Sequence, residues 1–260
     1  MGLRTQDYNE LGFVNDFMFA KVMKNRKLCK QLLEVILNVK IDRIDYLEEQ
    51  KSINHSLDAR SVRLDVYVKD DEHTVYNVEM QTTNPKNLPK RSKYYQGMID
   101  LNLLKKGEDY NKLNKSYVIF ICTEDIFGKG RHVYTFENLC LQDTTIHLKD
   151  ETTKVFLNPI SDMDDVDKDL KNFLLYVANG EPVDDFTQEL EREVEAAKRN
   201  KGWEEEYMTL HMIEREKFNE GKLEMLFELV KKGLLEVSEA VEVSSLSEDE
   251  FIEEMKRAGY

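Results

Sequence analysis

The chain has 260 residues and a mass of 30.6 kDa, with 41% hydrophobic and 34% charged residues. The charged share exceeds the usual ~25%, yet 12 Phe, 12 Tyr and one Trp argue against wholesale disorder. The longest apolar runs, Tyr117 to Cys122 and Phe173 to Ala178, have six residues each, far short of the ~18 of a membrane span. The opening residues lack the apolar stretch of a secretory signal. Three scattered cysteines (Cys29, Cys122, Cys140) suit neither a disulfide framework nor a metal knuckle. A cytoplasmic protein with no membrane partner is expected.

The net charge of −14 is unevenly spread. Residues 1–150 carry 23 Lys and Arg against 22 Asp and Glu, whereas residues 151–260 carry 14 against 29. Residues 86–131 hold 10 basic and 5 acidic side chains. An acidic protein can therefore still take a polyanion on its first half.

In chain order, residues 15–37 predict one helix, capped by Asn15 or Asp16, with Phe19, Val22, Met23, Leu32, Leu33, Ile36 and Leu37 at helical spacing. Residues 41–50 predict an irregular strand. Residues 62–69 and 74–82 alternate and flank the polar turn Asp70–His73, which predicts a β-hairpin. A loop with Pro85 and Pro89 leads to a helix over 90–106. Tyr117–Cys122 reads as a strand central in a sheet. Short strand pieces surround Tyr134, Ile146 and Val155–Leu157. From 165 onward the chain reads as helices, with a boundary near 158–165: a core over 1–160 and an acidic helical region over 161–260. Phe173, Leu174 and Val177, and Leu223, Leu226, Phe227 and Val230, form stripes that must bury. The core can cover some of these; a homodimer whose interface includes residues 187–232 is expected, with a monomer whose tail folds back onto the core as the alternative. Residues 238–243 and 247–256 suggest a helix-turn-helix, but its second helix is too acidic to enter a DNA groove.

The hairpin carries the chemistry. A turn centred on Glu72 sets Asp65 opposite Glu79, Arg63 opposite Gln81 and Tyr67 opposite Asn77. Period-two alternation gathers these six on one face and leaves Val62, Leu64, Val66, Val68, Tyr76, Val78 and Met80 on a core face. Directly opposed carboxylates repel. A divalent cation between them converts repulsion into ligation, and oxygen ligands suit Mg²⁺ or Mn²⁺. The same pattern also fits a solvated outer face on which Asp65 and Glu79 tolerate each other or pair with Arg63.

Other motifs are weaker. The five histidines (His55, His73, His132, His147, His211) lack zinc-ligand spacing. No G-x-S-x-G or P-loop occurs. Gly128–Arg131 fits a surface turn better than a phosphate cradle. Residues 90–95 interleave Lys and Arg with Tyr94 and Tyr95, which suits phosphate contact plus stacking as well as a plain amphipathic helix start.

Taken together, Asn15-Asp16-x-x-Phe19-x-Lys21, Arg63-Leu64-Asp65-Val66, Asn77-Val78-Glu79-Met80-Gln81 and Arg91-Ser92-x-Tyr94-Tyr95 resemble the Rpn family. These are recombination-promoting nucleases, also described as transposases of the PD-(D/E)XK superfamily. The resemblance covers roughly residues 12–160. It implies an α/β fold with a mixed sheet, in the order αβββαβ, followed here by the acidic helical tail. It implies Mg²⁺- or Mn²⁺-dependent cleavage of DNA, with Asp65, Glu79, Gln81 and Asp16 at catalytic positions. Asp65, Glu79 and the Met80 carbonyl would hold the metal, and Arg63, Arg91, Lys93, Tyr94 and Tyr95 would meet DNA. Gln81 stands where the superfamily usually has lysine, which leaves a nuclease-fold binding protein as the alternative.

Overall fold

The computed structural model describes residues 6–53, 62–244 and 246–260. His55 lies outside them. The chain divides into two compact units, one of residues 9–200 and one in which residues 201–260 join the N-terminal end through Tyr8.

In the larger unit the helix expected over 15–37 is two helices, α1 (Asp16–Val22) and α2 (Arg26–Leu37). Asn15 caps the first, its side chain accepting the Met18 N–H at 3.1 Å. Asn25 starts the second by accepting from Lys27 and Leu28. An Asn inside an apolar helical pattern is a poor helix interior but a good cap, and here the cap wins.

The sheet follows: β1 (Ile44–Ile53), β2 (Val62–Asp70), β3 (Val75–Gln81), then helix α3 (Leu88–Leu103) and β4 (Ser116–Cys122). Beyond them lie β5 (Val133–Phe136), the small hairpin β6 (Leu139–Cys140) and β7 (Asp143–His147), and β8 (Thr152–Leu157). The strand order is β1-β2-β3-β4-β8-β5. β1, β2 and β3 form an antiparallel meander, β4 runs parallel to β3 and β8, and β5 closes one edge antiparallel to β8. A parallel β3–β4 pair needs a crossover, and α3 supplies it. Through Leu88, Tyr95, Met98 and Ile99 this helix packs on Val118, Phe120 and Cys122 of β4. The face of β3 that carries Asn77, Glu79 and Gln81 is consequently buried, and so is the whole strand.

Two further helices, α4 (Lys168–Asn179) and α5 (Asp185–Lys198), belong to this unit. The ring of Phe13 meets those of Phe19, Phe173 and Tyr176, and Phe173 meets Phe186. Lys27 pairs with Glu189 at 2.9 Å. The change in composition near 160 marks the end of the sheet, while the compact unit runs on to Asn200.

The other unit is helical: α6 (Lys201–Lys231), α7 (Val237–Ser244) and α8 (Glu248–Arg257). The last two match the pair read from the sequence. Leu226, Phe227, Ala240 and Phe251 form its core. Both stripes named as candidates for a dimer are thus largely covered within one chain: Phe173, Leu174 and Val177 in the larger unit, Leu226 and Phe227 in the smaller. No helix among the described residues is long and apolar enough to cross a membrane.

A chain ending at Asn200 should fold cooperatively and stay in solution. A chain ending at residue 164 should aggregate or melt at least ~10 °C lower, because loss of Phe173, Tyr176 and Phe186 uncovers Phe13 and Phe19, and each large aromatic removed costs about 3–5 kcal/mol. Circular dichroism melts with light scattering check this.

Candidate active site

The β2–β3 ladder keeps the expected register from Lys69↔Val75 to Val66↔Val78, and among the described residues it stops there. One residue on, the two carboxylates take over its hydrogen bonds. Glu79 Oε1 accepts the Asp65 N–H at 3.1 Å, and Asp65 Oδ2 accepts the Met80 N–H at 3.1 Å. On the other side of β2, pairing passes from Glu49↔Val66 to Lys51↔Leu64 and skips Gln50 and Asp65. Gln50 has φ of +50°, a left-handed conformation unusual for a strand residue. Asp65 therefore sits where the β2–β3 ladder has ended and where one pair of the β1–β2 ladder is skipped before pairing resumes at Leu64.

Two expectations change as a result. The alternation expected across 62–68 breaks at Asp65, since Val62 and Leu64 share a cluster with Tyr67, Leu88 and Phe120. The outer-face reading of the polar residues also fails. Asn77 and Glu79 are 0% exposed because α3 covers them. Each carboxylate faces the other strand's N–H, which offsets the repulsion expected from a directly opposed pair.

Arg91, from the second turn of α3, completes the site. Its Nη2 donates to Glu79 Oε2 at 2.9 Å, its Nη1 to Gln81 Oε1 at 2.7 Å and its Nε to the Tyr95 hydroxyl at 2.8 Å. The guanidinium carbon lies 5.1 Å from the Tyr95 ring centre and 5.3 Å from that of Phe120. Gln81 is held at both ends, since its Nε2 donates to the Thr83 carbonyl at 2.7 Å and to the Thr83 hydroxyl at 3.1 Å. Sequence reading grouped Arg91 with phosphate contacts and missed its bonds to Glu79 and Gln81. The one available signal was position: a helix that crosses over after β3 returns its first turns above that strand's end.

The electrostatics follow from burial. Asp65 is pushed well above the ordinary carboxylate range by desolvation, then by the charges of Glu79 and Asp16, against the pull of the Met80 N–H and Arg91. Glu79 is raised by desolvation, with Arg91 the largest opposing influence. Burial works against the charge of Arg91, but Tyr95 and Glu79 outweigh it and hold its pKa above the usual value. Tyr95 is pushed up to about 12 by burial and Glu79. The charges of Glu79 and Asp16 thus act on Asp65, and Arg91 opposes the rise at both Asp65 and Glu79.

That charge balance fits a divalent cation. The donors are hard oxygens, and raised carboxyl groups gain most from a nearby positive charge. Among the described residues no group of three or more His, Cys, Asp or Glu is arranged to hold a metal; the oxygens this cluster could offer one are two carboxylates and a main-chain carbonyl. Met80 suits the third position. In an extended strand a residue's N–H and C=O point to the same edge, and the Met80 N–H points at Asp65.

The remaining sequence-predicted residues divide by exposure. Asp16 is exposed at the start of α1, with one oxygen accepting the Phe17 N–H at 2.8 Å. Arg63, Lys93 and Tyr94 are exposed. Tyr95 is buried against Phe120 and bonded to Arg91, so it is a core residue rather than a stacking platform. A groove of about 280 Å³ on α3 is lined by Lys90, Lys93, Tyr94, Gly97, Met98 and Leu101. The Gly128–Arg131 turn is a surface turn whose N–H groups are taken: Gly130 donates to Asp125, and Lys129 and Arg131 donate to the Tyr134 hydroxyl. Burial pushes the Cys29 and Cys122 thiols up to about 12, which leaves neither as a nucleophile.

Buried acidic groups on the second and third strands of a mixed sheet, with a helix crossing over them and an acidic residue on the first helix, define a nuclease-like core. The family model of the PD-(D/E)XK nuclease family transposases matches residues 13–175, well over half of the chain, and the chain belongs to that family. No curated protein and no solved structure matches the chain at a significant level.

Asp65 carries the clearest pH consequence. Its folded pKa lies above its unfolded value, so the folded metal-free protein holds the proton more tightly. Stability is then greatest below about pH 4 on this group's account and falls as pH rises toward the raised value. Asp65→Asn keeps an acceptor for the Met80 N–H and removes the charge. It should flatten this slope and raise the metal-free Tm at neutral pH by roughly 2–6 °C, equivalent to about 1–2 kcal/mol. Calorimetry from pH 5 to 8 in EDTA reads both effects.

Proposed function

We propose that the chain hydrolyses DNA phosphodiester bonds with Mg²⁺ or Mn²⁺ held by Asp65, Glu79 and the Met80 carbonyl, as the recombination-promoting nucleases it resembles are expected to do. The observation that carries this reading is the end of the β2–β3 ladder beside Asp65, where two carboxylates accept main-chain N–H groups and Glu79 pairs with Arg91. A sheet gains nothing from that exchange unless the acids serve another purpose.

A bound cation makes its water more acidic and polarises the phosphoryl oxygen. The protein's own groups do the rest. Met80 N–H and Asp65 N–H fix the two carboxylates in orientation. Asp16 adds a third carboxylate at the mouth, suited to hold a water. Exposed Arg63 and Lys93 meet flanking phosphates, and Tyr94, beside the groove on α3, offers a ring to sugar or base. In the reaction the water oxygen bonds to phosphorus, one phosphorus–ester oxygen bond breaks, and the departing alcohol gains a proton. Neither Gln81 nor Arg91 accepts a proton at neutral pH.

A specific observation also favours a second reading, a DNA- or partner-binding protein with little hydrolysis. Gln81 replaces the usual lysine, and both ends of its amide are engaged. Supercoiled plasmid incubated with Mg²⁺, Mn²⁺ or EDTA separates the two. The nuclease reading expects nicking with metal, none in EDTA, and a loss of about 10³-fold or more in Asp65→Ala and Glu79→Ala. Equal nicking by these variants would sink it. Mn²⁺-independent plasmid binding without nicking would favour the second.

The proposed protein partner is a second copy of the chain, through the 187–232 region. Met208, Met212, Ile213, Phe218 and Met225 remain exposed on α6 and give such contact its apolar surface. Light scattering should give twice the chain mass, and Met212→Lys with Phe218→Lys should halve it. A parent that already runs as a monomer removes this proposal.

A further inference from the structure

We propose that Arg91 is the phosphate-facing cation of this site, and that Gln81 is the positioning residue that holds it there. The claim rests on the nuclease reading above and deepens it. It assigns to a helix-borne arginine the electrostatic work for which the strand position, occupied by Gln81, offers no charge.

Geometry supports the assignment from three directions. First, Arg91 spans the boundary of the site. Its side chain is 30% exposed, whereas Glu79, its ion-pair partner at 2.9 Å, is 0% exposed. An anion approaching the carboxylates from solvent meets the guanidinium before it meets Glu79. Second, the fork is only partly used. A guanidinium has five N–H donors, and Tyr95, Gln81 and Glu79 take one each. The remaining donors suit a non-bridging phosphoryl oxygen, which planar guanidinium recognises well. Third, the fork is pre-set. The Tyr95 and Phe120 rings pack against it, and Gln81 is itself pinned by Thr83. A donor fixed before substrate arrives stabilises developing charge without reorganising.

The same contacts define what Gln81 does. With its oxygen on Arg91 and its nitrogen on Thr83, its amide is a strut between the end of β3 and the guanidinium. A lysine at 81 would lose that acceptor and bring a second cation against the first. Position 81 and position 91 therefore behave as one unit that holds a single positive charge. Arg91 gives and takes no proton in the step. It faces the negative charge that grows on the phosphoryl oxygens while the water–phosphorus bond forms and the ester bond breaks.

A charge-relocation experiment tests this. Nicking of supercoiled plasmid with Mn²⁺ is measured for the parent, Arg91→Lys, Arg91→Gln, Gln81→Lys and the double variant Gln81→Lys with Arg91→Gln. Arg91→Gln should lose about 10²–10³-fold in the rate constant of bound DNA, the size of one pre-set donor, with a smaller change in the DNA concentration needed for half-maximal rate. Arg91→Lys keeps the charge but not the fork and should lose about tenfold. Gln81→Lys alone should also lose activity. The double variant should regain at least tenfold over Arg91→Gln, because the cation returns on the strand. A purely structural Arg91 predicts the reverse, with the double variant no better than Arg91→Gln; that result, or parental rates in Arg91→Gln, overturns the proposal. Circular dichroism confirms folding, and Arg91→Lys keeps the test open if Arg91→Gln does not fold. Should the parent fail to nick at all, the nuclease reading falls separately. Duplex binding with Ca²⁺ then decides for Arg91: loss of one phosphate contact lowers the log–log salt slope by about one, and an unchanged slope in Arg91→Gln and Arg91→Lys counts against it.

Discussion

Glu79 takes a carboxylate wholly out of water, and the structure around it is arranged to keep it there. An isolated buried charge costs several kcal/mol, and an ion pair offsets this only with good geometry and further hydrogen bonds. Glu79 has both: the Arg91 guanidinium at 2.9 Å and the Asp65 N–H at 3.1 Å. The second of these is available where the Gln50↔Asp65 pair is missing from the β1–β2 ladder and the β2–β3 pairing has ended at Val66↔Val78. The ladder break and the buried acid are therefore one feature. Continuous pairing would spend the Asp65 N–H on a carbonyl and leave Glu79 one donor short.

The sheet order explains how a buried position is available on a polar strand. β3 lies between β2 and β4, so both of its edges are inside the sheet. Because β4 runs parallel to it, the chain must cross over, and the crossover helix α3 roofs the face that carries Asn77, Glu79 and Gln81. The same helix brings Arg91 back over the end of β3, ten residues after Gln81 in sequence and 2.7 Å from it in space. The connection that closes the fold thus delivers the site's cation.

Much of this was legible in the sequence, for reasons that can be named. The hairpin register follows from alternation plus a four-residue polar turn, and it holds over 66–69 and 75–78. The central place of Tyr117–Cys122 follows from a run with no polar side. What alternation cannot show is where it stops. Nothing in the residue types announces the left-handed backbone at Gln50; Val62 and Leu64 are buried as alternation predicts, but in the cluster that holds Tyr67 and Phe120. The burial of Asn77, Glu79 and Gln81 was hidden for a similar reason. Polar residues at period two read as a solvated face unless the crossover that covers them is already known. In the first helix a cap was mistaken for an interior residue, because Asn25 interrupts an apolar rhythm that carries on after it in nearly the same phase.

The site as a whole manages charge far better than it manages protons. Arg91 stays protonated, Tyr95 is pushed up to about 12, and Gln81 does not titrate. Asp65, though raised, is the residue a cation would most need in its ionised form, and Glu79 is bonded to Arg91 and to the Asp65 N–H. Asp65 and Glu79 are each engaged by a main-chain N–H, and Asp16 is the exposed carboxylate of the cluster. General bases typically contribute 10²–10⁴-fold, and neither Gln81 nor Arg91 can supply that contribution. Pre-set electrostatic donors contribute on a similar scale each, and the cluster holds one in the Arg91 guanidinium, fixed by Glu79, Gln81 and Tyr95. In the proposed hydrolysis, proton traffic would draw on bulk water or the substrate phosphate. A rate governed by the cation and by Arg91, rather than by any titrating base, is the chemistry that this set of residues can support.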